Sequence, residues 1–441
     1  MAKPDDDAIL LLDMGTHVAR AAVAQSHDGA LGLTDASEAP FSAAHDGIIV
    51  HLEAAREQLA AVLESAAQRA GTRTRRVVAA VGGSHLRWIR ARGSLSLRLP
   101  VCLREAHLER ALDAAAAIGL PRDQEMLHVV PTGFRVDGAR TLRPLGMRAR
   151  RLVAEVGVLT VSRLALENLE RVLCDAGFEL VEPVADPLVA AQVGLTAEDR
   201  SRGAVLVDIG AERVGAVVYR DGVLQGLTQL GAGAAHVSRD LACVLRVDTS
   251  AAEHVKRELG VAYLALADAG RSMPLQRNGE LLRLGQVEVA RVIEARVREL
   301  LTLTREALRG ALAPTDRVVV GGGGARLSGM VTLAEQVFGV PARRYVPDGA
   351  VPGLADASAG TLLGLQAYAL RCGFHRSRRH TFLRGAVQRL RSVLGVGGSR
   401  PSASGHARPE IRVAEPETGR SVHVPPSVGV DLEVGDVRVR A

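Results

Sequence analysis

The sequence contains two similar units about 200 residues apart, each an apolar strand that ends in Asp-x-Gly and is followed by a second apolar strand. In the first unit the run 9–12 leads into Asp13-Met14-Gly15-Thr16, and the run 18–24 follows. In the second unit the run 204–207 leads into Asp208-Ile209-Gly210, and the run 214–219 follows. Short apolar runs bounded by turn residues predict buried strands, here paired as hairpins. The repetition indicates an internal duplication, and therefore two related α/β domains.

The second half of the chain also contains a glycine cluster at the end of an apolar strand. Residues 318–320 are all Val, Gly321–Gly324 follow directly, and a helix is predicted over 329–338. Glycine lets the backbone approach an anion closely, and an aspartate can hold the water shell of a metal ion. A single Asp-x-Gly is most often an ordinary turn. Two of them, followed by strand, four glycines and helix, are typical of a nucleotide clamp between two related domains.

The remaining segments are assigned by periodicity and composition. Helices are predicted over 51–70, 104–118, 286–308 and 358–371, helices are expected to dominate 250–310, and 86–162 is expected to be a separate mixed region. Aromatic residues make up only 2% of the chain, which leaves few side chains to stack on nucleic acid. The four cysteines stand far apart, so neither a disulfide framework nor a zinc site is predicted and a reducing cytoplasm is expected.

The net charge of +6 arises from one C-terminal segment, because seven arginines and no acid lie between 371 and 391. Within 374–396, apolar residues recur on one side of a predicted helix and basic residues on the other. Such a helix is typical of binding to an anionic lipid surface; packing on another subunit and contact with nucleic acid are the alternatives. The predicted membrane-binding residues are Phe382, Leu383, Val387, Leu390, Leu394, Arg384 and Arg391.

These motifs resemble those of the superfamily that contains actin, the heat-shock chaperone ATPases and the sugar kinases. Within it, three segments of the middle region are similar to the FtsA family of bacterial cell division proteins. They are Val81-Gly82-Gly83-Ser84-His85-Leu86, then Leu127-His128-Val129-Val130-Pro131 with Val136-Asp137-Gly138, and Pro144-Leu145-Gly146-Met147. The resemblance covers about residues 8–371.

The resemblance implies an α/β fold of duplicated actin-like (ribonuclease H-like) domains with an inserted small domain, a C-terminal amphipathic helix and a tail. The implied domains follow the chain in this order: a first actin-like domain over 1–85, an SHS2-like insertion over 86–162, a second actin-like domain over 163–240 continued at 312–350, an upper helical domain over 241–311, a return to the first domain over 351–373, the membrane helix over 374–396 and a flexible tail over 397–441. A small accessory strand pair, from 411–413 and 428–439, is the alternative for the tail.

The resemblance also implies a site for ATP and Mg²⁺ between the two halves. Asp13 and Asp208 would hold Mg²⁺ through water. On the helix that follows the second half's core strands, Glu253 and Lys256 stand one turn apart, as the ribose-contacting acid and base do in the family; an exposed ion pair is the alternative. The implied nucleotide-binding residues are Asp13, Gly15, Thr16, His17, Asp208, Gly210, Gly231, Gly233, Glu253, Lys256, Arg257, Gly322, Gly323 and Gly324.

The second hairpin departs from the family pattern. Gly210 is followed by Ala211-Glu212-Arg213, where the family is richer in glycine and threonine, and Val18 stands where a lysine is frequent. Glu212 would repel a terminal phosphate unless Arg213 or a metal offsets its charge. No residue stands out as the base that orients an attacking water, with Gln192 the one candidate considered. We therefore expect nucleotide binding with at most weak ATPase activity.

Function follows from the resemblance as an expectation. The chain would tether the tubulin-like ring protein FtsZ to the cytoplasmic face of the inner membrane at the division septum. It would form filaments with copies of itself and would have other division proteins as partners. The C-terminal peptide of FtsZ would dock on 241–310, near Arg296, Arg298 and Glu299. Anionic lipid, and not nucleic acid, would be the partner of the basic helix. A PilM-like pilus assembly protein is the close alternative, and a sugar kinase or exopolyphosphatase is the alternative from another class.

Overall fold

The computed structural model describes residues 8–27, 30–33, 36–277, 279–314, 316–345, 360–372 and 430–434. The predicted membrane-binding helix over 374–396 and the tail apart from 430–434 lie outside these residues. The described residues divide into two compact units, the larger within 8–85, 164–222 and 226–372, and the smaller within 86–163, 223–225 and 430–434. Among the described helices, none is long and apolar enough to cross a membrane.

The first sheet of the larger unit is centred on the strand that carries Asp13. Residues 8–85 form β1 (Ala8–Met14), β2 (Val18–His27), β3 (Ala30–Leu33), β4 (Ser37–Pro40), β5 (Ala44–His45), β6 (Ile48–Ile49), α1 (Leu52–Arg69) and β7 (Arg76–Val81). Strand β1 pairs antiparallel with β2 on one side and parallel with β7 on the other. The helix predicted over 51–70 is confirmed, and its apolar face, from Ala55 to Ala67, is buried.

The smaller unit is an antiparallel sheet covered by one helix. It contains β8 (Arg87–Cys102), α2 (Glu105–Ala116), β9 (Gln124–Val136), β10 (Ala139–Thr141) and β11 (Arg148–Ser162). Helix α2 buries Leu108, Ala111 and Leu112 in the core of this unit. The helix approaches so closely that a Cβ on Gly93 of β8 would lie 2.1 Å from the Ala115 backbone nitrogen. Trp88 packs over Gly157 of the neighbouring strand, where a Cβ would lie 1.8 Å from the indole ring.

The chain then returns to the larger unit and builds a second sheet. The elements are α3 (Arg163–Asp175), β12 (Glu179–Ala185), α4 (Asp186–Gly194), α5 (Ala197–Arg202), β13 (Ala204–Ile209), β14 (Val214–Arg220), β15 (Val223–Leu230), α6 (Ala234–Leu245) and α7 (Thr249–Leu259). They continue with β16 (Ser272–Arg277), β17 (Glu280–Gly285), α8 (Gln286–Ala307), β18 (Arg317–Gly321), α9 (Met330–Phe338), β19 (Ala342–Arg344) and α10 (Gly360–Cys372), with short 3₁₀ turns at Leu264–Leu266 and Gly323–Arg326. The last described strand, β20 (Val430–Val434), belongs to the smaller unit.

The two sheets of the larger unit share one plan. The first has the order β12-β7-β1-β2-β3, with β4 also paired to β2, and the second has the order β15-β14-β13-β18-β19. In the second, β13 pairs antiparallel with β14 and parallel with β18, as β1 does with β2 and β7. The duplication predicted from the two Asp-x-Gly units is therefore confirmed at the level of strand pairing.

Helix α8 supplies much of the second half's core. The helix predicted over 286–308 is confirmed, and one stripe of its apolar residues faces the core. In this stripe Val289, Ile293, Val297 and Leu301 are buried against the second sheet's cluster, and Val292 is half-buried. Burying a branched aliphatic side chain contributes about 1.5–3 kcal/mol, so this stripe is a principal stabilising feature. With few aromatic residues, the core consists mainly of Val, Leu, Ile and Ala.

Helices fill most of 250–310, as expected, but a hairpin that was not predicted lies between them. Strands β16 and β17 form an antiparallel hairpin there, paired from Ser272 with Gly285 to Arg277 with Glu280. Leu275 and Leu284 point into the core while their neighbours are exposed, and Gly279 closes the turn at a φ of +84°. The Asn-Gly pair at 278–279, flanked by alternating apolar residues, is the signal for this hairpin in the sequence.

The C-terminal region contributes one described strand. Val430–Val434 pairs antiparallel with β8, from Gly93 to Ile89, and extends the sheet of the smaller unit to the order β10-β9-β11-β8-β20. Of the two strands predicted in the tail as the alternative, the one within 428–439 is therefore found, and it pairs with a strand of the smaller unit. The segment 411–413 lies outside the described residues.

Candidate nucleotide-binding site

The turns of the two central hairpins meet in the larger unit. Strand β1 ends at Met14 and strand β13 ends at Ile209, so that each sheet presents its Asp-x-Gly turn at the carboxyl end of its central strand. Arg213, in the turn after β13, donates a hydrogen bond from Nη2 to the Met14 carbonyl oxygen at 3.1 Å. The structure therefore brings Asp13 and Asp208, predicted from sequence as a pair, into one cleft.

Three carboxyl groups share this cleft, with Asp13 buried and Asp186 and Asp208 half-buried. Burial, followed by the charge of Asp186, raises the pKa of Asp13 from 3.8 to about 7, although Arg20 and Arg213 oppose the shift. Burial and the charge of Asp186 likewise raise the pKa of Asp208 to about 6, with Arg213 opposing. Because burial and neighbouring negative charges disfavour ionisation, the three carboxyl groups do not all ionise unless a cation binds near them.

Asp186 is the member of this group that the sequence reasoning missed. It begins α4 directly after β12, and burial raises its pKa while Arg213 and a hydrogen bond from Gln229 lower it. A Cβ on Gly82, at the end of β7, would lie 2.2 Å from its Oδ2 atom, so the backbone passes close to the carboxylate. The signal in the sequence was an acid at the end of an apolar strand, followed by a proline-started helix, but without the Asp-x-Gly pattern.

The carboxyl cluster fits a hydrated divalent cation. Asp13 and Asp208 are the residues that would hold Mg²⁺ through water. Burial is the main cause of their raised pKa values, and the charge of Asp186 adds to it, so a cation would favour their ionised forms. Over the described ranges, no group of three or more His, Cys, Asp or Glu side chains is arranged to ligate a metal directly. When bound, such an ion neutralises charge on a nucleotide's phosphates.

The glycine loop after β18 packs directly on the second hairpin. Gly322 has a φ of +77°, and a Cβ there would lie 2.2 Å from Asp208 Oδ1 and 2.5 Å from the Ile209 carbonyl oxygen. A Cβ on Gly324 would lie 2.4 Å from the Ile209 side chain. Gly323 differs, since a Cβ there would meet nothing within 4 Å. The loop therefore supports Asp208 on one side and leaves the backbone of Gly323 accessible from the other.

Helix α6 holds the second hairpin from below. The backbone amides of Ala234 and Ala235 donate to the carbonyl oxygens of Gly210 at 2.9 Å and Ala211 at 2.7 Å. A Cβ on Gly233 would lie 2.5 Å from the Gly210 carbonyl oxygen, so only glycine fits. Gly233, predicted as a nucleotide-binding residue, therefore lies against the second hairpin, whereas Gly231, predicted with it, lies beside Ser84 and Asp46.

The predicted acid and base on α7 form a network with α6. Lys256 Nζ lies 2.6 Å from Glu253 Oε2, 2.9 Å from Ser238 Oγ and 3.2 Å from the Ala234 carbonyl oxygen. Burial acts to raise the pKa of Glu253, but hydrogen bonds from Lys256 and Ser238 outweigh this effect, so the pKa lies below its ordinary value. Arg257 also binds Glu253, at 3.0 Å, and is itself exposed. Lys256 therefore ties α7 to the start of α6, while Glu253 remains partly exposed.

The first hairpin lines a small pocket. A Cβ on Gly15 would lie 2.6 Å from the Val18 carbonyl oxygen, so this tight turn needs glycine. Gly15 and Thr16 line the pocket together with Met14, Ala44, Gly47, Ala80, Gly82 and Arg213. His17 is exposed, and its carbonyl oxygen accepts a hydrogen bond from Phe41. Gln192 lies elsewhere on α4, where its amide donates to the Leu188 carbonyl oxygen of its own helix.

The two unusual charges of the second hairpin have separate partners. Glu212 forms an ion pair with Arg239 of α6, while Arg213 lies 3.4 Å from Asp186. The partner of Glu212 is therefore Arg239, and not Arg213 or a metal, the two partners named from the sequence. The charge of Arg213 instead lowers the pKa values of the carboxyl groups in the cleft.

Two family models and several relatives match this chain. A model of the family described as cell division protein FtsA matches residues 205–364, and a model of the SHS2 domain inserted in FtsA matches residues 83–160. The FtsA of Pseudomonas aeruginosa is 30% identical over 82% of this chain and 89% of its own length. That of Bacillus subtilis is 27% identical over 83% of this chain and 84% of its own length.

Solved structures show the same fold at low sequence identity. The PilM–PilN type IV pilus biogenesis complex aligns over 82% of this chain and 98% of its own, with a TM-score of 0.59 and 19% identity. MreB5 of Spiroplasma citri bound to ADP aligns over 83% and 97%, with a TM-score of 0.53 and 14% identity. These likenesses show an actin-like fold with an inserted small domain, and the sequence matches show that the chain belongs to the FtsA family of cell division proteins.

Proposed function

We propose that this chain is an ATP-binding, filament-forming adaptor that tethers the ring protein FtsZ to the cytoplasmic face of the inner membrane at the division septum. The observation that carries the proposal is the cleft of two Asp-x-Gly hairpins in a chain of the FtsA family. In this proposal, ATP with Mg²⁺ occupies the cleft and stabilises one arrangement of the two halves. Head-to-tail contacts between copies then repeat along a filament.

Membrane attachment is assigned to residues 374–396. Each basic residue near an anionic surface contributes about 1 kcal/mol, so a single helix binds weakly and reversibly. A filament presents many such helices at once, and simultaneous attachment multiplies the apparent affinity. Filament formation and membrane binding are therefore coupled, with other division proteins recruited to the assembled form.

The FtsZ C-terminal peptide is proposed to bind the upper helical domain, within 241–311. The charged residues predicted there are engaged inside that domain: Arg296 lies 2.5 Å from both Asp240 and Glu299, and Arg298 lies 2.6 Å from Glu294. An open groove between α7 and β16, lined by His254, Arg271 and Met273, offers polar and apolar contacts without breaking these pairs. We therefore propose this groove as the docking place.

The test is imaging of the fluorescently labelled protein in its source cell, beside a Leu390→Glu variant and a Leu390→Met control. We expect a midcell band for the wild type and the Met variant, and its loss for the Glu variant, because a charge on the apolar face opposes lipid burial. Foci at pilus sites would favour the PilM-like alternative. Uniform signal in all three proteins would contradict membrane tethering, and rapid phosphoryl transfer to a sugar or polyphosphate would favour the enzyme alternative.

A further inference from the structure

Arg213 links the two halves of the cleft by an unusual route. It belongs to the second hairpin, yet its guanidinium contacts the first, through the hydrogen bond to the Met14 carbonyl oxygen. The side chain is only 12% exposed, and its charge lowers the pKa values of Asp13, Asp186 and Asp208 together. One cation thus stands among three acids, at a place where both predicted phosphate hairpins meet.

The guanidinium has donors to spare. It carries five N–H groups, and the Met14 carbonyl oxygen takes one of them. The distance to Asp186, 3.4 Å, is that of an ion pair longer than a good charge-assisted hydrogen bond. Within the described part of the chain, no hydrogen bond from Nε or Nη1 is seen. Most of the binding capacity of this side chain is therefore available to another acceptor.

The pocket next to these donors is small, about 10 Å³ or room for one water, so a phosphate enters this place only by drawing the guanidinium away from Asp186. Arg213 is the one charged residue among the eight that line the pocket below the first hairpin. The remaining walls are largely backbone, and glycines keep them close: a Cβ on Gly47 would lie 3.1 Å from Arg213 Nη1. A guanidinium fork beside glycine-rich backbone matches the oxygens of a phosphate group.

Resting on the proposed nucleotide binding, we propose that Arg213 binds the terminal phosphate of a nucleoside triphosphate and so makes the cleft distinguish triphosphate from diphosphate. The terminal phosphate competes with Asp186 for the guanidinium, because both are anionic acceptors and the phosphate offers more oxygens. The hairpin whose sequence departs from the family pattern then carries the residue that senses the nucleotide state. A free phosphate ion beside a diphosphate presents the same chemistry, so the experiment includes it.

The test is equilibrium binding of ATP, of ADP and of ADP with inorganic phosphate to the purified full chain with Mg²⁺, by titration calorimetry. We expect Arg213→Ala to weaken ATP binding by about tenfold or more while changing ADP affinity less than about threefold, because a charge-assisted contact is lost only for the triphosphate. Arg213→Lys should keep part of the preference, since it retains the charge without the fork. Arg202→Ala is the control, because that arginine is exposed and pairs with Glu198 of its own helix α5, away from both hairpins; both affinities should stay unchanged.

Each outcome decides the proposal. Equal losses of ATP and ADP affinity would show that Arg213 only supports the fold, and unchanged affinities would show that it touches no phosphate. Tighter binding of ADP in the presence of phosphate, lost in Arg213→Ala, would support the site and show that it accepts free phosphate. If Arg213→Ala unfolds, Arg213→Gln keeps a donor for Met14 without the charge and serves the same comparison. A wild type that binds neither nucleotide would overturn the proposed function as well, whereas a wild type that binds both without preference would overturn the inference alone.

Discussion

The two hairpins of the larger unit share a backbone plan but differ in chemistry. Both place an aspartate with a raised pKa at the end of a central strand. The first turn is small and polar around Gly15 and Thr16, whereas the second carries Glu212 and Arg213 and is held by two amides of α6. The two copies therefore keep the aspartate in the same position, but only the second hairpin has a charged turn and hydrogen bonds from the helix that follows it.

The largest effect should come from breaking the support of the second hairpin at Gly322. Gly322→Ala places a Cβ 2.2 Å from Asp208 Oδ1 at a φ of +77°, so we expect a loss of about 3 kcal/mol or more in the free energy of unfolding, and loss of ATP binding. Gly323→Ala is the control, because a Cβ there meets nothing within 4 Å. Urea unfolding of both variants measures the difference, and equal stability of the two would contradict the packing described.

A smaller effect should distinguish the two aspartates by pH. Because the folded-state pKa of Asp13 lies above the ordinary 3.8, its contribution to stability is complete below about pH 4 and is lost as the pH rises to about 7. Without divalent cations, we expect Asp13→Asn to raise the free energy of unfolding at pH 8 by about 2 kcal/mol and to flatten the slope between these pH values.

The matched variant for this comparison is Asp208→Asn, whose effect should be smaller because the pKa of Asp208 rises only to about 6. Urea unfolding of the wild type and of both variants at pH 5 and pH 8 gives the six values that the comparison needs. Adding Mg²⁺ should reduce the gain at pH 8, since a bound cation stabilises the ionised carboxylates of the wild type. A steeper pH dependence in Asp13→Asn than in the wild type would show that the sign of this argument is wrong.

The smallest effect should come from Lys256 of α7, which contacts the start of α6, the helix that supports the second hairpin. Lys256→Ala removes the contacts to Glu253, Ser238 and Ala234, and we expect a loss of about 1–2 kcal/mol in the free energy of unfolding. Arg257→Ala removes an exposed partner of the same Glu253, and should cost less than about 0.5 kcal/mol. Thermal unfolding compares the two; an equal shift would mean that the buried position of Lys256 has no special role.

The sequence was informative where a local pattern determines structure. The two hairpins, the glycine loop and the stripe of α8 each depend on strand and helix periodicity or on glycine at a turn, so their positions were predicted correctly. The hairpin of β16 and β17 had a local signal, the Asn-Gly pair, which was outweighed by the helices on both sides of it.

Other features depend on contacts between residues far apart in the chain. Asp186 enters the cleft because parallel strands β12, β7 and β1 align their carboxyl ends, an order that no local pattern gives. The reach of Arg213 to Met14 spans almost 200 residues, and its direction depends on how the two sheets are packed in one unit. The pairing of β20 with β8 likewise joins segments that are distant in sequence.

The packing of Trp88 over Gly157 has a practical consequence for studying this protein. Trp88 is the chain's single tryptophan and belongs to the smaller unit, so its emission reports the unfolding of that unit, whereas far-ultraviolet circular dichroism averages over both units. Coincident transitions by the two probes would mean that the units unfold as one cooperative system. Separated transitions would give each unit its own stability, and a nucleotide bound in the larger unit would then shift only the dichroism curve.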